Sequence, residues 1–102
     1  MIRVSVFYPN EPGKKFDWDY YLNQHKELEH RVLDPYGLAK SEADRGIGTV
    51  QPGAPAPFVA IGHMYFNCMD DLQKCLPHAG ELMSDISNFT DIQPQIQISE
   101  VQ

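Results

Sequence analysis

Basic charge is the first thing this 102-residue chain lacks. Eight Lys and Arg stand against 14 Asp and Glu, for a net charge of −6 with His neutral. A nucleic acid or an anionic membrane calls for a basic face, so neither is an expected partner. Cysteine is scarce as well. Cys68 and Cys75 are seven apart, with no CxxC pair, which argues against a disulfide framework and a zinc ribbon. Both read as free thiols, Cys75 on the apolar face of a helix. No apolar run approaches the ~20 residues of a membrane-spanning helix. The chain opens MIRVSVFY with no charged leader and no apolar segment of signal length, so the expected compartment is the cytoplasm. HExxH, GxSxG and a GxGxxG that opens a helix are missing, and the four histidines have no tight ligand spacing. No metal site, Rossmann cofactor site or nucleophile elbow is expected.

What the chain does have is periodicity. In DWDYYLNQHKELEHRVL, residues 17–33, the side chains of Trp18, Tyr21, Leu22, His25, Leu28 and Val32 recur at steps of three and four. They predict one stripe of a helix. Asp17 is the expected N-cap, Phe16 and Tyr21 an expected staple, and Glu27 and Arg31 an outer i,i+4 pair. His25 is the anomaly, a titratable ring in an aromatic and aliphatic stripe.

Residues 2–8 (IRVSVFY) and 58–67 (FVAIGHMYFN) read as strands, the second apolar on both faces and therefore central. Residues 38–45 (LAKSEADR) fit an edge strand guarded by its charges. Residues 46–57 (GIGTVQPGAPAP), with three Pro and three Gly, form a long loop, read as a solvated connector or as a lid or dimer arm. Leu72, Cys75, Leu76, Ala79, Leu82, Met83 and Ile86 predict a second helix interrupted at Pro77. Residues 92–101 alternate as a last strand, with Pro94 pointing to an edge.

The order β-α-β-β-α-β predicts a single α+β domain over 1–102 with a ferredoxin-like, four-stranded antiparallel sheet and both helices on one face. Ile2, Val4, Val6, Phe58, Ala60, Gly62, Met64 and Phe66 are assigned to the helix side. The opposite face then carries Phe7, Val59, Ile61, His63 and Tyr65. A patch this apolar predicts a partner, most simply a second copy about a two-fold axis, closing an eight-stranded barrel.

The segments IRVSVFYPN, FDWDYYLNQH, PGAPAPFVAIGHMYF and PHAGELMSDISNFTDIQPQIQISEV together resemble the EthD family. That family takes its name from a gene cluster for ethyl tert-butyl ether degradation and belongs to the dimeric α/β barrels. The resemblance implies a homodimer without tightly bound metal or cofactor, associated with oxidative pathways. It also implies a pocket between sheet and helices for a small apolar or phenolic molecule. His25 would face that pocket as acid or base, with Tyr21 one turn away and Tyr8 at a strand end. His78, after Pro77, is similar to a Pro-His element that borders the pocket in barrel relatives. Tyr8, Trp18, Met64 and Phe66 are the expected ligand contacts.

Plainer readings stand beside these. His25 is otherwise a core-edge histidine satisfied by a carbonyl, His78 a solvent-exposed one, and His63 a hydrogen-bonding residue of the dimer side. The aromatic residues are otherwise core. Asp85 and Asp91 read as caps and turn residues. Three functions follow: a cofactor-independent oxidation or acid–base rearrangement, a non-catalytic accessory or ligand-binding partner of an oxygenase, or a dimer whose pocket is filled by its own side chains. The first predicts a closed pocket of roughly 300 Å³ or more.

Overall fold

β-Branched and aromatic residues dominate Ile2–Pro9, which forms strand β1 in the computed structural model, a description of residues 1–102. Strands β2 (Leu38–Arg45), β3 (Phe58–Phe66) and β4 (Gln95–Glu100) complete one sheet in the order β2-β3-β1-β4, antiparallel throughout. The two most apolar strands are central. Both helices lie on one face, so the chain is a two-layer, ferredoxin-like α+β domain with a smallest extent of 19 Å. β4 is shorter than its alternating sequence predicts, because Ile92 is buried ahead of it and Pro94 has no N–H to pair.

Helix α1 starts on Asp17, whose carboxylate accepts from the Tyr20 N–H at 3.1 Å. Phe16 and Tyr21 close the staple with ring centroids 5.0 Å apart. The helix runs through an α-turn, Trp18–Tyr20, a π-helical turn, Tyr21–His25, and an α-helical stretch, Lys26–Leu33. In the π-turn the Lys26 N–H reaches back five residues to the Tyr21 carbonyl. The extra residue delays the helical phase by about one position, roughly 100°. Leu22, expected in the buried stripe, is half exposed, while His25 and Leu28 are buried as expected and Glu29 joins them. Arg31 meets Glu27 at 3.3 Å on the exposed face, a contact that contributes little in water. Gly37 ends the segment in the left-handed region, φ +119°, where a Cβ would also strike Asp71.

Helix α2 comprises Met69–Cys75, a 3₁₀ turn Leu76–His78, Ala79–Asp85 and a last 3₁₀ turn Ile86–Asn88. Pro77, which lacks an N–H, accounts for the tightened turn.

The core between the layers has two halves. Ile2, Val4, Leu28, Leu33, Leu38, Phe66, Leu72, Cys75 and Leu82 form an aliphatic half. Tyr8, Tyr21, Ala60, Phe89 and Ile92 form an aromatic half, with Phe16, Trp18 and Tyr20 against it. Both cysteines are free.

One face assignment changes. Tyr8 pairs with Ala60 but Pro9 pairs with Phe58, which leaves Val59 as a bulge. The extra residue reverses the faces at the start of β3. Phe58 packs on Phe7, centroids 5.3 Å apart, on the face away from the helices, and Val59 packs against the aromatic core. The far face is thus centred on Phe7, Phe58, Ile61, His63 and Tyr65, and Val59 leaves the expected interface set. By register, Glu42 and Asp44 of β2 and Gln95, Gln97 and Ser99 of β4 flank that centre.

Candidate functional site

The π-turn delivers Tyr21 and His25 to the sheet, stacked with centroids 5.8 Å apart and planes 16° from parallel. His25 is 5% exposed. Its Nδ1 lies 2.9 Å from Asp85 Oδ2. Asp85 also accepts from the Tyr20 hydroxyl at 2.6 Å and the Asn88 amide at 2.9 Å. Burial alone would raise the Asp85 carboxyl, but these donations outweigh it and hold the group below the ordinary aspartate value. An ionised Asp85 only accepts, so His25 Nδ1 donates to it and Nε2 is the ring nitrogen left for other partners. Nε2 faces Glu29 Oε2 at 3.6 Å.

Glu29 is itself held. Ser41 donates to Oε1 at 2.7 Å, and Lys26 Nζ lies 3.3 Å from Oε2. Lys26 also donates to Ser41 Oγ at 3.2 Å and to the Glu42 carbonyl at 3.1 Å, and it sits 5.1 Å above the Tyr21 ring. Burial lowers the Lys26 ammonium, and the Glu29 charge partly restores it. Burial pushes the Tyr8 and Tyr21 hydroxyls far above their ordinary value, and the Glu29 charge adds to this. Both remain protonated donors at neutral pH.

These groups converge on a small cavity of about 40 Å³, lined by Val6, Tyr8, Tyr21, His25, Lys26, Glu29, Gly62, Met64, Leu82, Met83 and Ile86. It is far smaller than a drug-sized pocket and holds a few solvent molecules. Gly62 makes the close approach possible, since a Cβ there would stand 2.6 Å from the Tyr21 hydroxyl. A second, wholly apolar cavity of about 70 Å³ shares Val6, Met64, Leu82 and Met83 with the first. Met64 and half-exposed Met83 are therefore the flexible part of the shared wall.

The structure brings together Tyr8, Tyr21, His25 and Met64. Phe66 lies in the aliphatic half and lines only the second cavity. Trp18 packs outside, between Phe16 and Tyr21 and under the Arg45 guanidinium at 4.4 Å. His78 touches neither cavity. The turn at Pro77 lays its ring on Tyr36, centroids 3.9 Å apart and nearly parallel. On the far face, His63 Nε2 meets Asp44 at 2.9 Å and Nδ1 meets the Ser5 hydroxyl at 3.2 Å. Asp85, read from sequence as a cap, is instead the partner of His25. Lys26, Glu29 and Ser41 escape the sequence reading. The i,i+4 row Tyr21, His25, Glu29 was the available signal, whereas Asp85 is 60 residues from His25 and gives none. No group of three or more His, Cys, Asp or Glu is arranged to hold a metal ion.

The arrangement has known relatives. An EthD-like protein from Ralstonia eutropha JMP134 is 34% identical, with 98% of this chain and 90% of that one aligned at a TM-score of 0.89. An ethyl tert-butyl ether (EthD) family protein from Bacillus halodurans C-125 is 19% identical, covering 100% and 99% at a TM-score of 0.70. A dimeric ferredoxin-like protein from an uncultured marine organism shares the fold at 13% identity, covering 99% and 94% with a TM-score of 0.54. No curated protein matches the chain. The model of the EthD domain matches residues 13–93, a span that holds the π-turn, Gly62 and Asp85 alike, and the chain accordingly belongs to the EthD family.

Proposed function

We propose that the chain is a homodimeric acid–base protein that binds a small phenol or enolisable carbonyl compound between sheet and helices, and that His25 moves its proton. The observation that carries this reading is His25, buried in the wall of a cavity capped by two protonated tyrosines and held from behind by the partly buried Asp85. His25 Nε2 takes a proton from the ligand O–H or C–H and becomes imidazolium, with Asp85 and Glu29 as flanking carboxylates. The electron pair stays on the ligand as a phenolate or enolate, whose oxygen accepts from Tyr8 or Tyr21. Return of the proton to another atom is an isomerisation. Attack of the anion on dioxygen, as co-substrate, is a cofactor-free oxidation. The ether-degradation name of the Bacillus halodurans relative supports a place in an oxidative pathway. Two free thiols suit the cytoplasm, and no helix is long and apolar enough to cross a membrane.

The ligand enters when Met64 and Met83 change rotamer and join the two cavities. The small volume favours a second reading, a binding partner of a pathway oxygenase that does no chemistry. One experiment separates them. Small phenols and ketones are screened by thermal shift, and every binder is followed for product with and without dioxygen. Conversion that falls at least a hundredfold in His25→Ala, with binding retained, supports the enzyme. Binding without conversion by the unaltered protein supports the accessory reading. No binding by any candidate, with Met83→Ala equally inert, counts against both.

A further inference from the structure

The loop 46–57 carries no charged residue, in a chain where 22% of residues are charged. It projects from the end of the sheet. Its ties to the body are Gly46 N–H to the Val59 carbonyl and the Asn10 backbone and side chain to the Pro57 and Ala56 carbonyls. In its outgoing half Ile47 and Val50 are 96% and 104% exposed. Two fully bare β-branched residues on a proline-stiffened arm are a cost in water that a monomer does not offset. The radius of gyration, 14.1 Å, exceeds the ~13 Å of a compact chain of this length, as a projecting arm requires.

A matching vacancy lies at the other edge of the sheet. The helices leave the helix-side residues of β4 uncovered. Ile96 and Ile98 are about half exposed, as are Leu76 and Met83 across the groove. Where Leu76, Met83 and Ile96 meet, the lining is entirely apolar. Arm and groove thus agree in lacking charge.

We propose that the arm of one copy inserts Val50 and Ile47 into the α2–β4 groove of the second copy, and so covers the Met83 side of the ligand cavity. This rests on the homodimer reading above. Strand order and direction support it. A barrel closed from two such sheets with the two-fold along its axis sets each β4 edge beside the partner's β2 edge. β2 ends at Arg45, and β4 begins at Gln95 at the same end of the sheet. The partner's arm therefore emerges next to Ile96. The chain's own arm starts about 14 Å away, three strand spacings across the sheet. The second copy thereby completes the wall of a site that one copy leaves open.

The test uses the full chain in a Cys68→Ser background. Chains with Val50→Cys and chains with Ile96→Cys are mixed, oxidised mildly and resolved by mass, with Gln73→Cys replacing Ile96→Cys as control. The expected result is a dimer by native mass and a Val50–Ile96 disulfide between chains, at least tenfold above control. Val50→Asp, which alters no contact within its own chain, should weaken the dimer roughly tenfold with far-UV circular dichroism unchanged. A dimer with no crosslink above control overturns the arm and leaves the homodimer standing. So does a crosslink within one chain carrying both cysteines, at high dilution and monomer mass. A monomer at all concentrations overturns the homodimer reading and the arm with it.

Discussion

The two halves of the core are built under the same two helices yet do opposite things with burial. The aliphatic half, from Ile2 to Leu82, holds no polar side chain beyond the Cys75 thiol. It gains from every methyl removed from water. In the aromatic half the same helices bury Tyr8, Tyr21, His25 and Glu29, each at 5% exposure or less. His25 and Glu29 are tolerable there because Asp85 pairs with the first and Lys26 and Ser41 with the second. One half supplies stability and the other spends part of it on a fixed array of proton donors and acceptors.

Three substitutions test that division. Phe66→Ala, in the aliphatic half, is expected to cost about 3–5 kcal/mol in urea denaturation. The far-UV spectrum of the folded fraction should be unchanged, because no functional group is displaced. Gly62→Ala puts a methyl against the Tyr21 hydroxyl and is expected to cost about 1–3 kcal/mol. It should abolish ligand thermal shift as well, since Tyr21 must turn out of the cavity. Asp85→Asn should have the smallest effect, about 1 kcal/mol at neutral pH, with a distinct acid signature. The folded Asp85 carboxyl lies below its ordinary value, so its contribution is complete above about pH 4. It is lost as pH falls below that, through the lower folded value. Urea midpoints measured downwards from pH 5 should therefore fall less steeply in Asp85→Asn than in the unaltered chain. Equal slopes would mean that the carboxylate is not held by its donors.

Most of the fold was legible because β1, β3 and α1 carry strong periods and agree with one another. The two errors in placement share one cause. Val59 is an extra residue in a strand, which exchanges the faces of Phe58 and Val59, and the π-turn holds an extra residue in a helix; neither has a local sequence signature. The site was legible to the extent that His25 broke an apolar pattern. Its partners were not. Lys26 and Glu29 are charges outside the apolar stripe, although Glu29 follows His25 at i+4, and Asp85 reaches His25 only through the tertiary fold. His78, which the resemblance sets at the pocket border, is carried onto Tyr36 by the tighter turn at Pro77.

The π-turn has a consequence for how this helix can change. Asn23 and Gln24 sit on its outside with no packing role, so losing either looks harmless. Such a deletion would return the turn to ordinary α-winding with Glu29 still in phase, because the residue removed is the extra one, and would shorten the Tyr21–His25 spacing from four residues to three. The turn is thus the place where this helix can absorb a change of length, whereas the same loss between His25 and Glu29 would swing the carboxylate roughly 100° out of the cavity.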